Sequence, residues 1–317
     1  VIYTNFLDED CWVHADLTIS RLGSDSYRVV TGGADGNRDW VTLRNYRDDN
    51  GLNADINIRT HDIATLGLWG PKAVNALGNF IDPNEIDIQN FPFVTAKNLT
   101  LNLSGGKKVD VWAARISYVG ESGWEIYFNN NKDDGLALYD SLLEVGVVPV
   151  GIETYANSRR LEKSFRLQGA DLETEYTAIE AAIQRPLVKE ADFHGKAAHL
   201  SHREEDPCAI LCTMTLDDLN VSGVPRYPVG ISPIIDPATG EVPIDSKGRR
   251  SYTTGMSYCP SIKKFVVMGY LPKELAIQGK QLLIEYFNED GDGVYPITVQ
   301  IVGKGSLYDP NNERVRS

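Results

Sequence analysis

Arg115-Ile116-Ser117-Tyr118-Val119-Gly120-Glu121-Ser122-Gly123-Trp124-Glu125-Ile126-Tyr127 is the stretch whose reading settles the architecture. It alternates like a strand, breaks at Gly120-Glu121-Ser122-Gly123, and resumes with a glutamate between Trp124 and Ile126. Apolar neighbours on both sides predict partial burial of Glu125, where an unpaired charge is expensive. A donor partner for Glu125, from the protein or from a ligand, is therefore expected.

Upstream, residues 12–22 alternate in strand fashion and Tyr27-Arg28-Val29-Val30-Thr31 follows a polar turn, so the two predict a hairpin. Gly32-Gly33-Ala34-Asp35-Gly36 leads into a helix with Trp40, Leu43 and Tyr46 on one face. Residues 63–69 read as a strand ended by Gly70-Pro71, with Pro71 suited to open a helix over 71–78. Strands are expected near 99–103 and 109–118, and a helix over 133–146 carrying Leu136, Tyr139, Leu142 and Leu143, capped at Gly146. Residues 155–166 predict a charged helix and 171–183 a polar loop. Past Pro207 the texture changes to strands at 208–216, 265–271, 281–287 and 294–302, separated by Gly, Pro and Asp clusters. The fold class expected is α+β followed by a C-terminal β-barrel, with domains at 1–206 and 207–317.

The chain has 317 residues, 42% of them hydrophobic, enough for a sizeable core in two or three subdomains. Its net charge of −13 argues against nucleic acid or an anionic membrane surface as main partner. A polyanionic ligand would need a local basic pocket. Cys11, Cys208, Cys212 and Cys259 show no CxxC spacing, which favours a reduced, intracellular setting. No stretch approaches the ~18–20 apolar residues of a membrane helix. Val1-Ile2-Tyr3-Thr4 has no initiator Met and no signal-peptide features, and it reads as a strand already in progress. The expectation is a piece of a longer polypeptide.

The quoted run resembles the R-x-S/T-Y-T-G-E-x-G-W/F-E pattern of the aminomethyltransferase-type tetrahydrofolate-binding family. That family includes the glycine-cleavage T-protein and the folate domains of dimethylglycine and sarcosine dehydrogenases. The resemblance implies that Glu125 grips the pterin ring and that Tyr118 lies near the reacting nitrogens. Glu121, in the turn, could equally orient backbone donors. Ala15-Asp16-Leu17-Thr18-Ile19-Ser20-Arg21-Leu22 is similar to the family's A-D-L-T-V-T-R-L, which implies that Asp16 lies beside folate N5 and N10 and supports one-carbon transfer. By pattern alone Asp16 is as readily an edge-strand carboxylate facing solvent. The residue before Ala15, often acidic in the family, is His14 here.

Residues 155–166 resemble Y-A-L-N-A-L-R-L-E-K-A-F-R of the dimethylglycine dehydrogenase branch, one residue shorter near 157. The site arginine of T-proteins has no counterpart, since Ala156 takes its place, while Arg160 and Glu162 read as residues that hold the helix. Thr177-Ala178-Ile179-Glu180-Ala181, 193–198 and 307–316 resemble further family stretches, so the likeness runs from about residue 2 to 316. Thr18 and Arg314 fall inside matched stretches and join Glu121 and Glu125 as expected folate contacts. The resemblance implies capture of the iminium from an oxidised N-methyl amine to form 5,10-methylene-tetrahydrofolate. FAD would sit in a separate domain or subunit, and the roughly one hundred N-terminal residues of the family's folate module would be missing. T-protein aminomethyltransferase, a folate-dependent demethylase and a non-catalytic folate module remain alternatives. The compartment expected is the cytoplasm, or the mitochondrial matrix in a eukaryote.

Other motifs fail. Asn288-Glu289-Asp290-Gly291-Asp292-Gly293 opens like an EF-hand loop, but Val299 stands where the bidentate Glu belongs, so a hairpin turn is expected. His199 and His202 are expected on a solvated face, Gly32–Gly36 lacks GxGxxG order, and the sequons at Asn98 and Asn102 read as accidental.

Overall fold

The alternation around Glu125 folds into an antiparallel sheet with one dry face. In the computed structural model, which describes residues 1–184, 186–216, 231–288 and 291–317, β4 (Ile63–Trp69), β5 (Ala96–Asn102), β6 (Lys108–Ala114) and β7 (Gly123–Asn129) pair in the order β4-β7-β6-β5. Trp124, Ile126 and Phe128 of β7 point to one side with Leu68, Leu99, Leu101, Val109 and Val111. Short helices α2 (Ala73–Leu77) and α3 (Pro83–Ile86), and α4 (Lys132–Glu144), complete this core through Leu77, Ile86, Leu138 and Leu142. In α4 the residues facing the core are Leu138 and Leu142, one helical turn apart, while Leu136, Tyr139 and Leu143 are exposed. The Asn131 side chain caps α4 by accepting from Asp134 N–H at 2.8 Å.

The strand expected over 109–118 stops at Ala114 because Arg115 turns inward. Its buried guanidinium donates to the carbonyls of Ile86 (3.1 Å) and Phe91 (2.9 Å), to Ser122 Oγ (3.2 Å) and to Ser317 O (2.7 Å). It also lies 5.0 Å from the Trp124 ring centroid. Loop 115–122 is thereby tied down. β7 begins at Gly123 with φ 153°, where a Cβ would stand 2.0 Å from Leu68 O. Backbone cannot yield as a side chain can, so Gly123→Ala is expected to destabilise the protein by about 3 kcal/mol or more. Chemical denaturation of wild type and variant measures it, and an unchanged midpoint would contradict this packing.

β1 (Ile2–Leu7), β2 (Val13–Arg21) and β3 (Tyr27–Thr31) form a three-stranded sheet in that order, followed by α1 (Gly36–Asp49). The chain divides into two compact units. One comprises Val1–Thr4, Asp16–Gly151 and Asn311–Ser317, the other Asn5–Ala15 and Ile152–Pro310.

The second unit contains α6 (Lys196–Glu204) and the strands β8 (Ala209–Leu216), β9 (Ile234–Ile235), β10 (Thr253–Cys259), β11 (Lys264–Pro272), β12 (Gln281–Asn288) and β13 (Gly291–Val302). They pair in the order β10-β11-β8-β13-β12-β9. The two outer strands then meet through the Pro233↔Tyr252 bridge, with Ile234 N–H donating to Ser251 O (3.2 Å) and Thr253 N–H to Ser232 O (2.9 Å). The sheet closes into the expected barrel. Cys212, Met214, Val267, Leu282, Ile284 and Val299 fill its interior, while Leu211, Val266, Met268 and Tyr270 pack against Leu161 and Leu172 outside. Burial on both sides explains the unbroken apolar run of β11. β12 and β13 pair as far as Asn288↔Gly291, and the turn expected at 288–293 centres on residues 289–290, which lie outside the described residues.

The helix expected over 155–166 takes a different form. Residues Glu153–Arg159 are π-helical and a single α turn, α5 (Arg160–Glu162), ends the element. Ser164 adopts φ 53°, and Phe165 N–H turns back to Arg160 O at 2.9 Å, a left-handed stop that forbids further helix. Arg160 and Glu162 are fully buried. Arg160 binds Asp171 and the carbonyls of Ala156 and Phe165, and Glu162 binds Arg159 and Ser261 N–H. Both hold the fold together. His199 also departs from expectation: it is buried, with Nδ1 3.4 Å from Cys11 Sγ, because α6 turns this face onto the loop before β2. Among the described residues no three His, Cys, Asp or Glu side chains gather as metal ligands.

Candidate functional site

Glu125 and Tyr127 project from the face of the four-stranded sheet opposite its core. The register sets Ala114 and Gly67 beside Glu125, and Trp112 and Thr65 beside Tyr127. Small neighbours leave the carboxylate room while the larger rings wall it in. The Tyr127 hydroxyl donates to Glu125 Oε2, and the Trp112 and Tyr127 rings meet edge to face at 5.1 Å. Burial pushes the Glu125 carboxyl above its ordinary pKa, and the Tyr127 hydrogen bond opposes that shift. The donor anticipated for Glu125 is thus a residue two positions along its own strand.

Asp16 stands on the half-buried face of β2, whose other face carries the buried Val13, Ala15 and Leu17. Tyr3, on the neighbouring strand, donates its hydroxyl to Asp16 Oδ2 at 3.1 Å. Burial raises the Asp16 pKa, the Tyr3 bond lowers it, and the charges of Asp35 and Asp39 raise it further. A carboxylate tuned this way is better matched to taking a proton near neutral pH than an exposed aspartate.

The hairpin register connects the two carboxylates. Pairing of Thr18 with Val30 and Ser20 with Arg28 puts Asp16, Thr18 and Arg28 on one side of β2–β3. From that side the Arg28 guanidinium reaches 4.3 Å from the Trp112 ring centroid and 5.5 Å from that of Tyr127. The surface bearing Asp16 and Thr18 and the surface bearing Glu125 are therefore the two that Arg28 joins.

Tyr118 lies in the loop that Arg115 secures, two residues before a left-handed Gly120 (φ 76°). Glu121 is buried there, with Oε2 3.8 Å from Arg314 Nη1, so the structure brings these two expected contacts together. Ser122 Oγ donates to Ser317 O at 2.6 Å. Sequence reading passed over Tyr3, Arg28, Trp112 and Tyr127. The period-2 step from Glu125 could have found Tyr127, but the other three depend on strand pairing.

The raised pKa values carry a stability consequence. A carboxyl whose folded pKa exceeds its unfolded one binds more protons when folded, so its contribution is full below the unfolded value and is lost as pH rises through the folded one. At neutral pH both carboxylates then oppose folding. Asp16→Asn and Glu125→Gln are expected to keep or raise the melting temperature at neutral pH, with the advantage shrinking toward about pH 4. Melting temperatures across that range test this, and a loss at neutral pH would contradict it.

The sequence profile described as GCVT N-terminal domain matches residues 1–190. The chain belongs to the GCVT family. This GCVT chain is 28% identical to human mitochondrial dimethylglycine dehydrogenase over 96% of its own length and 33% of that protein. The rat enzyme gives 29% identity over 90% and 31%. The chain thus spans about a third of the dimethylglycine dehydrogenases it matches. It is 31% identical to an aminomethyltransferase of Symbiobacterium thermophilum, covering 86% of this chain and 68% of that protein. The crystal structure of glycine cleavage system aminomethyltransferase T from Bartonella henselae superposes with a TM-score of 0.73 at 22% identity, over 94% of this chain and 74% of that one. That likeness establishes the fold, a mixed α/β GCVT architecture with a closed C-terminal sheet. No helix among the described residues is long and apolar enough to cross a membrane.

Proposed function

We propose that this GCVT domain transfers a one-carbon unit to tetrahydrofolate, taking it from the iminium left by oxidative demethylation of dimethylglycine or sarcosine. The observation that carries the reading is the pair of half-buried carboxylates, each bonded by a tyrosine, on the two surfaces that Arg28 joins. A pterin edge offers an N–H and an amino group side by side, and Glu125 is an acceptor walled by aromatic rings with one of its oxygens already oriented by Tyr127. The residues present fit the ligand.

Tetrahydrofolate, when bound, supplies the two amine nitrogens that accept the carbon. Glu125 anchors the ring and Thr18 lies along the same strand face as Asp16. Asp16 takes or relays the proton released at nitrogen, and Tyr118 positions the amine-bearing carbon. Glu121 and Arg314 brace the turn beside the site. The oxidation itself belongs to an FAD-containing domain or subunit. The likeness of residues 155–166 to the dehydrogenase branch, with Ala156 in place of the T-protein arginine, supports that context. The four free thiols agree with a reducing compartment, cytoplasm or mitochondrial matrix. A second reading, aminomethyl transfer as in a T-protein, is favoured by the 31% identical aminomethyltransferase.

Two measurements test the proposal. Calorimetry should show saturable tetrahydrofolate binding to the chain, and its absence would end the folate reading. The purified parent protein should absorb near 450 nm, the flavin band, if the dehydrogenase reading is right, whereas a colourless parent would favour aminomethyl transfer.

A further inference from the structure

The space that Gly67 leaves beside Glu125 is taken by Trp69. A Cβ built on Gly67 would collide with Cζ3 and Cη2 of the Trp69 indole. Trp69 lies two residues further along β4, so its side chain rises from the same face as Gly67 and folds back over it. Directly across the ladder from Trp69 is Gly123, where a Cβ would meet Trp69 Cδ1 at 2.8 Å. Two glycines thus make the floor on which the indole rests. Gly67 pairs with Glu125, and cross-strand Cβ positions lie about 4.5–5.5 Å apart. The six-membered ring therefore stands alongside the Glu125 side chain, on the side away from Ala114.

The indole is also tied at its polar edge. Trp69 Nε1–H donates to Ile116 O at 2.8 Å, and the next residue, Gly70, donates its N–H to Ser122 O at 2.9 Å. Consecutive residues at the end of β4 therefore hold the loop after β6 at two points, and Tyr118 and Glu121 lie between those points. Arg115 secures the root of the same loop from the buried side of the sheet. A hydrogen bond fixes both a distance and a direction, and an indole turns about only two side-chain torsions. One rigid group thus touches the carboxylate's side of the sheet at one end and the loop at the other. We infer that Trp69 is a positioning residue, packed beside Glu125 and setting, through Ile116, where the loop that bears Tyr118 stands relative to that carboxylate. The inference rests on the proposed function only for the reaction this placement serves; the tether itself does not depend on it.

Two substitutions attack the arrangement from different sides. Trp69→Phe keeps a ring on the glycine floor and removes the N–H, whereas Gly67→Ala keeps the tryptophan and puts a methyl where its ring must lie. Hydrogen exchange of the amides of residues 116–121 should quicken on the order of tenfold in Trp69→Phe, the worth of one hydrogen bond, and quicken in Gly67→Ala too. The amides of β5 and β6 should keep their wild-type rates. In the full-length protein, Trp69→Phe should leave tetrahydrofolate affinity within a few-fold while 5,10-methylene-tetrahydrofolate formation at saturating tetrahydrofolate falls about tenfold. Both substitutions undo one contact, so the double variant should do no worse than Gly67→Ala alone. Unchanged loop exchange in Trp69→Phe, unchanged turnover of an active protein, or losses that multiply in the double variant overturns the inference. So does faster exchange throughout β5 and β6, which would make Trp69 an ordinary packing residue. If wild type neither binds tetrahydrofolate nor forms the product while the loop still loosens in both variants, the proposed function falls and the tether stands. If wild type does both and Trp69→Phe matches it in exchange and turnover, the reverse holds.

Discussion

Asp16→Asn should lower formation of 5,10-methylene-tetrahydrofolate by about 10²–10⁴-fold, the usual worth of a positioned acid or base, while tetrahydrofolate affinity stays within a few-fold. The substitution keeps the shape of the side chain and an oxygen for the Tyr3 hydroxyl to reach, but removes the group that burial has tuned toward proton transfer. On the proposed dehydrogenase reading, flavin reduction by the amine, followed by stopped flow in the full-length protein, should be unchanged, since that step would belong to another domain. Free formaldehyde should rise as methylene-folate falls. Identical partitioning in wild type and variant would make Asp16 a structural carboxylate and refute the role assigned to it.

Glu125→Ala should weaken tetrahydrofolate binding by about 2–3 kcal/mol, roughly 30- to 150-fold, because a shielded, charge-assisted hydrogen-bond pair is lost. The variant also frees the Tyr127 hydroxyl, so Tyr127→Phe is the informative companion. It keeps the ring that meets Trp112 and removes only the bond that orients the carboxylate. Calorimetry on folded variants distinguishes the two effects, and wild-type affinity in Glu125→Ala would sink the assignment. The melting temperature of Glu125→Ala itself supplies the control, since an affinity loss without a stability loss does not come from misfolding.

The strand faces of the two candidate carboxylates could be read before any coordinates because they sit in period-2 strands whose alternate residues are apolar. Trp124 and Ile126 announce the buried side of β7 and leave Glu125 on the other. The same logic separates Asp16 from Val13, Ala15 and Leu17. What could not be read depends on pairing between distant segments. Tyr3 meets Asp16 only because β1 lies beside β2, and Arg28 reaches Trp112 across 84 positions of sequence. The barrel strand β10 is rich in Thr and Ser, and Gly255 leaves space that the Arg160 guanidinium occupies, so its composition looks like a loop. In the 155–166 segment, helix propensity was overridden by the buried Arg160 clamp and the left-handed Ser164. Tertiary demands decided those places.

The division of the chain into two units has a consequence for synthesis. The polypeptide passes between them after residues 4, 15, 151 and 310. The stretch 1–151 therefore contains neither unit whole. The first still waits for Arg314, which pairs with Glu121, and for Ser317, whose carbonyl accepts from Arg115 and Ser122. The second has received Cys11 and Val13 long before the barrel strands around which they pack. Loop closure over such separations is slow, and it exposes strand edges until it is complete. Each unit is finished only when residues far apart in sequence have met, and until then its strand edges stay open to pairing with other chains.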